Sequence, residues 1–304
     1  MELWLIYAAL AAVFAALTTI LAKIGLQNVD SHLATAIRTT VVAVFAWLIV
    51  FLFSSFDGIG SIDGRTWVFL IFSGLSTGAS WLCYFHALKL GQVSKVVPID
   101  KSSTILTMIL AFIFLHESIG WVTVVGMLLM GVGTFLMLEL RKESRADNDG
   151  SCDSKESVSL LRRNGWLIYA VLAAVFASLT AIFGRVGVVD MDANLWTAIR
   201  TMVVLPMSLM MVFVTGGRKK VKGLGGKSWS FLVLSGIATG LSWLFFYHAL
   251  QIGNASHVVP IDKLSVVLVI VFAKLFLGEK ISRQSFIGLV LLTAGTLLPV
   301  FVLG

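Results

Sequence analysis

Ten long apolar segments limit what this chain can fold into. A bilayer core about 30 Å thick is crossed by a helix of about 20 apolar residues, and each segment is close to that length. Their continuously apolar character differs from the alternating pattern of barrel strands. The sequence therefore predicts an all-α membrane protein with ten transmembrane helices. The segments cover residues 3–22, 33–53, 67–89, 93–115, 120–140, 166–184, 195–215, 229–250, 256–277 and 284–303.

The composition excludes a soluble protein. Hydrophobic residues make up 58% of the 304 positions and charged residues only 13%, whereas soluble domains carry about 25% charged residues. The net charge of +7 comes from Lys and Arg scattered between the apolar segments. Such scattering is typical of membrane topology, so we expect the lipid bilayer, and no nucleic acid, as a partner.

The chain contains an internal duplication with a constant offset of 162 positions. Trp4–Thr18 matches Trp166–Thr180, and the motif VVPIDK occurs at Val96–Lys101 and again at Val258–Lys263. An ungapped register over such a length indicates a duplicated unit rather than chance similarity between apolar helices. Residues 162 positions apart are called equivalent below.

The duplication divides the chain into three parts. Residues 1–140 form a first five-helix repeat, and residues 166–304 form a second one. Residues 141–165 between them are rich in Ser, Asp and Lys, which is typical of a flexible polar linker. Because five is odd, the second repeat must enter the membrane from the opposite face. The sequence thus predicts two inverted-topology repeats related by a pseudo-twofold axis in the membrane plane, as in many secondary transporters.

Polar and aromatic side chains recur at equivalent positions inside the apolar segments. We name the membrane face where the first segment begins face A, and the opposite one face B. The charged residues of the first repeat then lie toward face B and those of the second toward face A, with the tryptophans near the midplane. The candidate substrate-binding and gating residues are Arg38, Thr77, Trp81, His86, Asp100 and Lys101, with their equivalents Arg200, Thr239, Trp243, His248, Asp262 and Lys263.

Two interpretations of the charged positions are open at this stage. A charge at the centre of a span costs about 2.5–3.5 kcal/mol, which favours pairing or a wet cavity around Asp100 and Lys101. Alternatively, Pro98 is the first helical residue of its span, Asp100 caps that helix and Lys101 snorkels to the interface.

Other polar positions have structural alternatives too. The arginines can reach lipid headgroups, the histidines can bond between helices, and the tryptophans can simply pack. Glu117 and Glu279 follow the ends of spans and are interpreted as loop residues. The GxxxG spacing of Gly74 and Gly78 predicts close helix packing. The sequence contains no catalytic motif, nucleotide fingerprint or metal-ligand spacing, so we expect no enzyme, no metal and no cofactor.

Several short motifs carry a family resemblance. They are AIR at Ala36–Arg38, repeated at Ala198–Arg200, the endings YFHAL and FYHAL of the third and eighth segments, and LGE at Leu277–Glu279. With the duplicated five-span plan, they make the chain similar to the EamA-type transporters of the drug/metabolite transporter superfamily. The resemblance implies a polytopic carrier of small metabolites that works by alternating access, by proton coupling or by exchange.

The chain departs from the family pattern in its prolines and in one glycine. Pro98 and Pro260 stand six residues earlier than the usual proline, and the acid-base pair that follows them is not a general family feature. The first repeat has His116 where the second has Gly278. The resemblance therefore names no substrate.

The loop charges and the family resemblance predict opposite orientations in the membrane. Loop Lys and Arg concentrate at face B, and the opposite loops hold only Arg65 and Arg185. The positive-inside rule then places face B in the cytosol and both termini outside, while the resemblance implies both termini inside.

These patterns lead to a functional hypothesis with one rival. We expect a secondary transporter for a small polar metabolite, with Asp100 and Asp262 as gate residues and possible proton sites. The cations favour an anionic group on the substrate, and the tryptophans favour a cation or a ring, so an amino-acid-like zwitterion satisfies both. We expect a monomer or homodimer in the plasma or inner membrane. The rival is a non-transporting or lipid-binding integral membrane protein.

Overall fold

The structure is a computed structural model that describes residues 3–27, 29–53, 62–116, 120–138, 165–187, 192–216, 225–252 and 264–303. Within these ranges every regular element is a helix. The helices of the first repeat are α1 (Leu3–Gly25), α2 (Ser31–Phe53), α3 (Gly64–Leu90), α4 (Val93–Lys101), α5 (Ser103–Leu115) and α6 (Trp121–Met137). Those of the second are α7 (Gly165–Gly187), α8 (Ala193–Val214), α9 (Gly226–Ile252), α10 (Ser265–Leu277) and α11 (Arg283–Leu303).

The helices agree with a ten-span plan. Seven are long and apolar enough to cross a membrane by length and composition, with α4 and α5 counted as one span, Val93–Phe114. Three shorter apolar helices, α6, α10 and α11, take the remaining places. The predicted ninth segment, 256–277, lies partly outside the described residues, because these exclude 253–263. The prediction of an all-α, multi-span membrane fold is confirmed.

Acidic residues fix where some helices begin. The Asp30 carboxylate accepts a hydrogen bond from the backbone N–H of His32 at 3.0 Å. The equivalent Asp192 accepts from the N–H groups of Asn194 and Leu195, both at 2.9 Å. The first N–H groups of a helix have no partner within it, and a carboxylate also suits the positive end of the helix dipole. The duplicated sequence thus starts α2 and α8 in the same way.

Two serine hydrogen bonds establish the relative direction of α1 and α9. Ser235 Oγ in α9 donates to the carbonyl of Thr18 at 2.6 Å, and Ser242 Oγ donates to the carbonyl of Ala11 at 2.9 Å. Residue numbers therefore rise along one helix as they fall along the other. α1 and α9 are antiparallel, as they must be if the second repeat is inverted.

The equivalent pair, α3 and α7, is joined by the equivalent bonds. Ser73 Oγ donates to the carbonyl of Thr180 at 3.2 Å, and Ser80 Oγ donates to the carbonyl of Ala173 at 2.9 Å. Each helix pair contains one helix from each repeat. The repeats are thus interleaved about a pseudo-twofold axis, which agrees with the predicted inverted topology.

Glycines allow the repeats to approach closely at equivalent places. A Cβ added at Gly74 would lie 2.7 Å from the Cβ of Val203, and one at Gly236 would lie 2.7 Å from the Cβ of Val41. A side chain at either glycine would push α3 away from α8, or α9 away from α2. The GxxxG glycine of α3 therefore packs as predicted.

At the contact between α6 and α11, the backbones of the two helices pack directly against each other. A Cβ at Gly133 would lie 2.5 Å from the backbone nitrogen of Leu292 and 2.6 Å from the carbonyl oxygen of Gly288. Backbone atoms in a helix cannot rotate out of the way as a side chain can. This contact joins the last spans of the two repeats and depends on residues without side chains.

The residue after α5 and the residue after α10 both adopt a left-handed conformation. His116 has φ of 52°, and its equivalent Gly278 has φ of 65°. Glycine adopts such angles freely, whereas other residues rarely do. The sequence departure at His116 therefore changes the residue and leaves the local backbone geometry intact.

We predict that Gly133→Ala destabilises the protein while Gly131→Ala does not. The added methyl at residue 133 meets backbone, and overpacking of this kind costs about 1–3 kcal/mol. The nearest atom to a Cβ at Gly131 is Ile105 Cδ1 at 4.0 Å, and alanine favours a helix over glycine by up to about 1 kcal/mol. The melting midpoint of each variant in detergent measures the difference. Equal midpoints for the two variants would show that the α6–α11 contact is looser than described.

Candidate functional site

A cavity of about 310 Å³ lies between the two repeats. Its walls come from α1 to α4 of the first repeat and from α7, α9 and α10 of the second. Polar, charged and aromatic side chains line it together with apolar ones. Six of the residues predicted from the sequence are among them: Arg38, Trp81, Asp100, Lys101, Thr239 and Trp243.

Arg38 is the most buried of the charged groups at this cavity. Its side chain is only 3% exposed. Nε donates to Ser235 Oγ at 2.8 Å, and Nη2 donates to Thr239 Oγ1 at 3.1 Å. The guanidinium lies over the ring of Phe85, 4.0 Å from its centroid. Arg38 therefore crosses from α2 to α9 and is held there by hydroxyls and an aromatic face, rather than extending to lipid headgroups.

One donor of this arginine is unused. Nη1 is buried and has no hydrogen-bond partner within the described part of the chain. A buried polar group without a partner is costly, and a charged one more so. Arg38 lines the cavity, and a further acceptor brought within reach of Nη1 would satisfy this donor.

The two predicted tryptophans meet at the centre of the molecule. The ring centroids of Trp81 and Trp243 are 6.4 Å apart, with 38° between the ring planes. Equivalent residues can touch only near the pseudo-twofold axis, and this axis lies at the midplane of an inverted repeat. The tryptophans therefore line the cavity near the midplane, and their separation is within the range of aromatic contact.

The VVPIDK motif of the first repeat forms the end of a short helix. α4 begins at Val93, so Pro98 lies inside it and is not its first residue, contrary to the alternative considered above. Asp100 and Lys101 then fall at the end of α4, where both line the cavity. The helix is interrupted at Ser102, whose N–H and Oγ both donate to the carbonyl of Ile99, at 3.1 and 2.6 Å.

Glu279 lies in the connection between α10 and α11, as predicted, and it also has a role that the sequence did not reveal. Its Oε1 accepts from the N–H of Val93 at 2.7 Å, and its Oε2 accepts from the N–H of Ser94 at 2.9 Å. Glu279 thus caps α4 from the other repeat, and α4 carries Asp100 and Lys101. Sequence reasoning missed this role because the two residues that are capped lie 186 and 185 positions away in the chain.

Lys23, near the end of α1 at face B, bonds to the end of α3. Its ammonium donates to the carbonyls of Leu88 and Gly91, at the end of α3. It is also attracted by the charge of Glu279. The face B ends of α1, α3, α4 and α10 are therefore linked by one acid and one base.

Four predicted residues lie away from this cavity. Thr77 donates to the carbonyl of Ser73 at 2.7 Å and contacts Thr180 Oγ1 at 3.3 Å. Arg200 is half-buried, unlike its equivalent Arg38. The cavity lining includes neither of them, nor His86 or His248.

Each of the two histidines lies near a tyrosine of the other repeat. His86 Nδ1 is 2.8 Å from Ser31 Oγ, and its ring centroid is 4.2 Å from that of Tyr169. The ring of His248 lies 5.8 Å from that of Tyr7, the equivalent of Tyr169. Each histidine therefore joins helices of the two repeats near a membrane face. Asp262 and Lys263 lie outside the described residues.

Tyr84 is a cavity residue that the sequence prediction omitted. It lines the cavity beside Asp100, and its hydroxyl is 3.3 Å from Thr19 Oγ1. Its position three residues after Trp81 puts both on one helix face, which is the sequence signal that could have found it. No group of three potential metal ligands occurs within the ranges that the structure describes.

Comparison with known proteins gives a consistent result for both repeats. The model of the EamA-like transporter family matches residues 2–139 and 164–301. An uncharacterized transporter in the cobO 3' region of Sinorhizobium sp is 45% identical over 133 residues, which are 44% of this chain and 94% of that protein. The uncharacterized transporter YxxF of Bacillus subtilis (strain 168) is 23% identical over 217 residues, 71% of this chain and 64% of that protein.

A solved structure, described only as the crystal structure of a protein, has the same fold. It superposes with a TM-score of 0.62 and covers 97% of this chain and 95% of its own. At 18% sequence identity, this similarity concerns the fold alone.

We predict that Glu279→Gln destabilises the protein more than Asp63→Asn. Glutamine offers one acceptor oxygen where glutamate offers two and removes the charge at the α4 dipole, at a cost of about 1–2 kcal/mol. Asp63 is an exposed cap that accepts only from the adjacent Gly64 N–H, at 2.8 Å. The melting midpoints in detergent compare the two. A loss no larger for Glu279→Gln would mean that the cap does not hold α4 in place.

Proposed function

Because the chain belongs to the EamA-like transporter family and is therefore a multi-pass membrane transporter, we propose that it moves a small polar metabolite through the cavity between its repeats. The substrate is amino-acid-like, or another zwitterion or organic anion. Membership of a transporter family indicates a carrier rather than an enzyme. Transport proceeds by alternating access, in which the repeats exchange their conformations about the pseudo-twofold axis.

The observation that carries this proposal is the buried guanidinium of Arg38. Ser235 and Thr239 position this side chain, which lines the cavity, and its Nη1 has no partner among the described residues. Guanidinium groups bind carboxylates and phosphates with strong, charge-assisted hydrogen bonds. We assign to Arg38 the role of holding the anionic group of the substrate.

The rest of the cavity supports a substrate that carries an ammonium group or a ring in addition to its anionic group. Among the described lining residues, Arg38 and Lys101 face a single acid, Asp100, so the cavity has a modest positive excess. Trp81 and Trp243 add flat aromatic surface that suits a ring or an ammonium group. A zwitterion with a carboxylate and an amine fits both features.

Asp100 and Lys101 are assigned to gating. They end α4 next to the interruption at Ser102, and discontinuous helices of this kind form binding sites in many transporters. In the proposal, Asp100 is a possible proton site on one side of the cavity. Its equivalent Asp262, with Lys263 and Arg200, serves the opposite half of the cycle.

The proposal also includes a location and an orientation. We place the protein in the plasma or inner membrane. Face B is toward the cytosol in this proposal, because loop Lys and Arg concentrate there. The alternative of a non-transporting or lipid-binding membrane protein predicts a cavity that binds no polar solute.

We predict that a carboxylate-containing solute stabilises the protein and that Arg38→Gln abolishes this effect. The experiment compares melting midpoints in detergent with amino acids, choline-like cations, organic anions and nucleotide sugars. At a concentration about 100 times the Kd, a ligand of the folded state adds about 2.7 kcal/mol of stability. Trp81→Ala is expected to reduce the shift of the melting midpoint that the same ligand produces.

Arg65→Gln is the matched control for Arg38→Gln. Arg65 is exposed and also lies over a phenylalanine, 5.7 Å from the ring centroid of Phe69, but it is far from the cavity in sequence and in the fold. Its variant should retain the full ligand effect. Undiminished stabilisation of Arg38→Gln, or stabilisation of the wild type by cations alone, would contradict the proposed role of Arg38.

We predict that a reporter placed in the linker is cytosolic and one at the C-terminus is not. Green fluorescent protein fluoresces when it is folded in the cytosol of a bacterial host, and alkaline phosphatase is active only after export. The linker fusion should therefore be fluorescent and the C-terminal phosphatase fusion active. The reverse pattern would place both termini inside and contradict the orientation derived from loop charge.

A further inference from the structure

A second cavity, of about 740 Å³, opens between α10 and α11. Most of its lining is apolar, and Leu275, Phe286 and Ile287 are exposed at 69%, 60% and 54%. Two cations, Lys274 and Arg283, belong to the same lining. We call this cavity the α10–α11 groove.

The groove has the shape of a site for a lipid molecule. Both cations lie near face B, since Lys274 is in the last turn of α10 and Arg283 is the first residue of α11. The apolar lining continues from there to Val267. With a rise of 1.5 Å per residue, Val267 lies about 15 Å below the end of α10. A polar end at the interface and an apolar channel below it match a headgroup and an acyl chain.

The cations are specific to the second repeat. The equivalents of Lys274 and Arg283 are Phe112 and Trp121, which are 53% and 77% exposed. The first repeat therefore has ordinary lipid-facing aromatic residues where the second has two positive charges. The fold does not require charges at these positions.

Charge decides which lipid the groove favours. A cation on a lipid-facing helix surface is costly unless it reaches an anion or the aqueous interface. Glu279, the nearest acid in sequence, has both carboxylate oxygens engaged by the N–H groups of Val93 and Ser94. The phosphate of an anionic phospholipid is an available partner at the right depth. A zwitterionic headgroup adds a positive charge of its own next to both cations.

We propose that the α10–α11 groove binds one anionic phospholipid, with its phosphate between Lys274 and Arg283 and an acyl chain along α10. α10 separates this lipid from the central cavity, since Ser265 and Val269 on the same helix line that cavity. The lipid therefore supports a helix that takes part in the proposed transport site. This inference does not depend on which substrate is carried.

The test uses the full-length protein purified in detergent. Phosphatidylglycerol and phosphatidylcholine with the same acyl chains are added, and the melting midpoint and the number of retained lipids in native mass spectrometry are recorded. The double variant Lys274→Phe with Arg283→Trp carries the residues of the first repeat. We expect phosphatidylglycerol to raise the wild-type midpoint by several degrees more than phosphatidylcholine, and the double variant to lose this difference.

The control variant is Lys280→Ala. Lys280 is exposed on the same connection but does not line the groove, so its variant should keep the preference for phosphatidylglycerol. If the double variant gives no folded protein, the milder Lys274→Met with Arg283→Gln replaces it, with the same expected loss.

With the two lipids, each of three results would overturn the proposal. They are an unchanged preference in the groove variants, an equal loss in Lys280→Ala, and equal stabilisation by the two lipids. Glycerol phosphate, added alone, tests whether an anion without an acyl chain is sufficient. A shift as large as that of phosphatidylglycerol would show a free-anion site and also contradict the lipid assignment.

Discussion

Serine hydroxyls that donate to carbonyls of the other repeat hold α1 against α9 and α3 against α7. In hydrocarbon no water competes for these groups, so helices associate through small residues, close packing and such hydrogen bonds. The same antiparallel contacts place the two tryptophans near the pseudo-twofold axis and carry Ser235 and Thr239 to the side chain of Arg38. The central cavity is a consequence of how the inverted repeats cross.

The equivalent arginines of the two repeats occupy different environments. Arg38 is buried and bonded to α9, while Arg200 is half-buried and outside the cavity lining. An inverted repeat can adopt two conformations in which the halves exchange roles, and a single conformation must then be asymmetric. Under the alternating access that we propose, the difference between the two arginines corresponds to one stage of the transport cycle.

An acid and a base at face B connect the ends of helices that line the central cavity. Glu279 caps α4 from the second repeat, and Lys23 binds carbonyls at the end of α3. Breaking these contacts would free the N-terminus of α4, and with it the helix that carries Asp100 and Lys101. Charged groups near the interface cost less than charged groups in hydrocarbon, so these contacts can open in the transport cycle that we propose.

The sequence by itself determined the span plan, the duplication and the inversion, because apolar length and an odd number of spans leave no other arrangement. It also pointed to six residues of the cavity, since charged and aromatic side chains inside spans must find partners or water. Only the tertiary structure decided which of the predicted residues share a cavity, that Thr77 and the histidines serve helix contacts, and that Glu279 caps α4. Those outcomes depend on which helices of different repeats touch, and residues that meet from opposite ends of the chain leave no periodic signal in either segment.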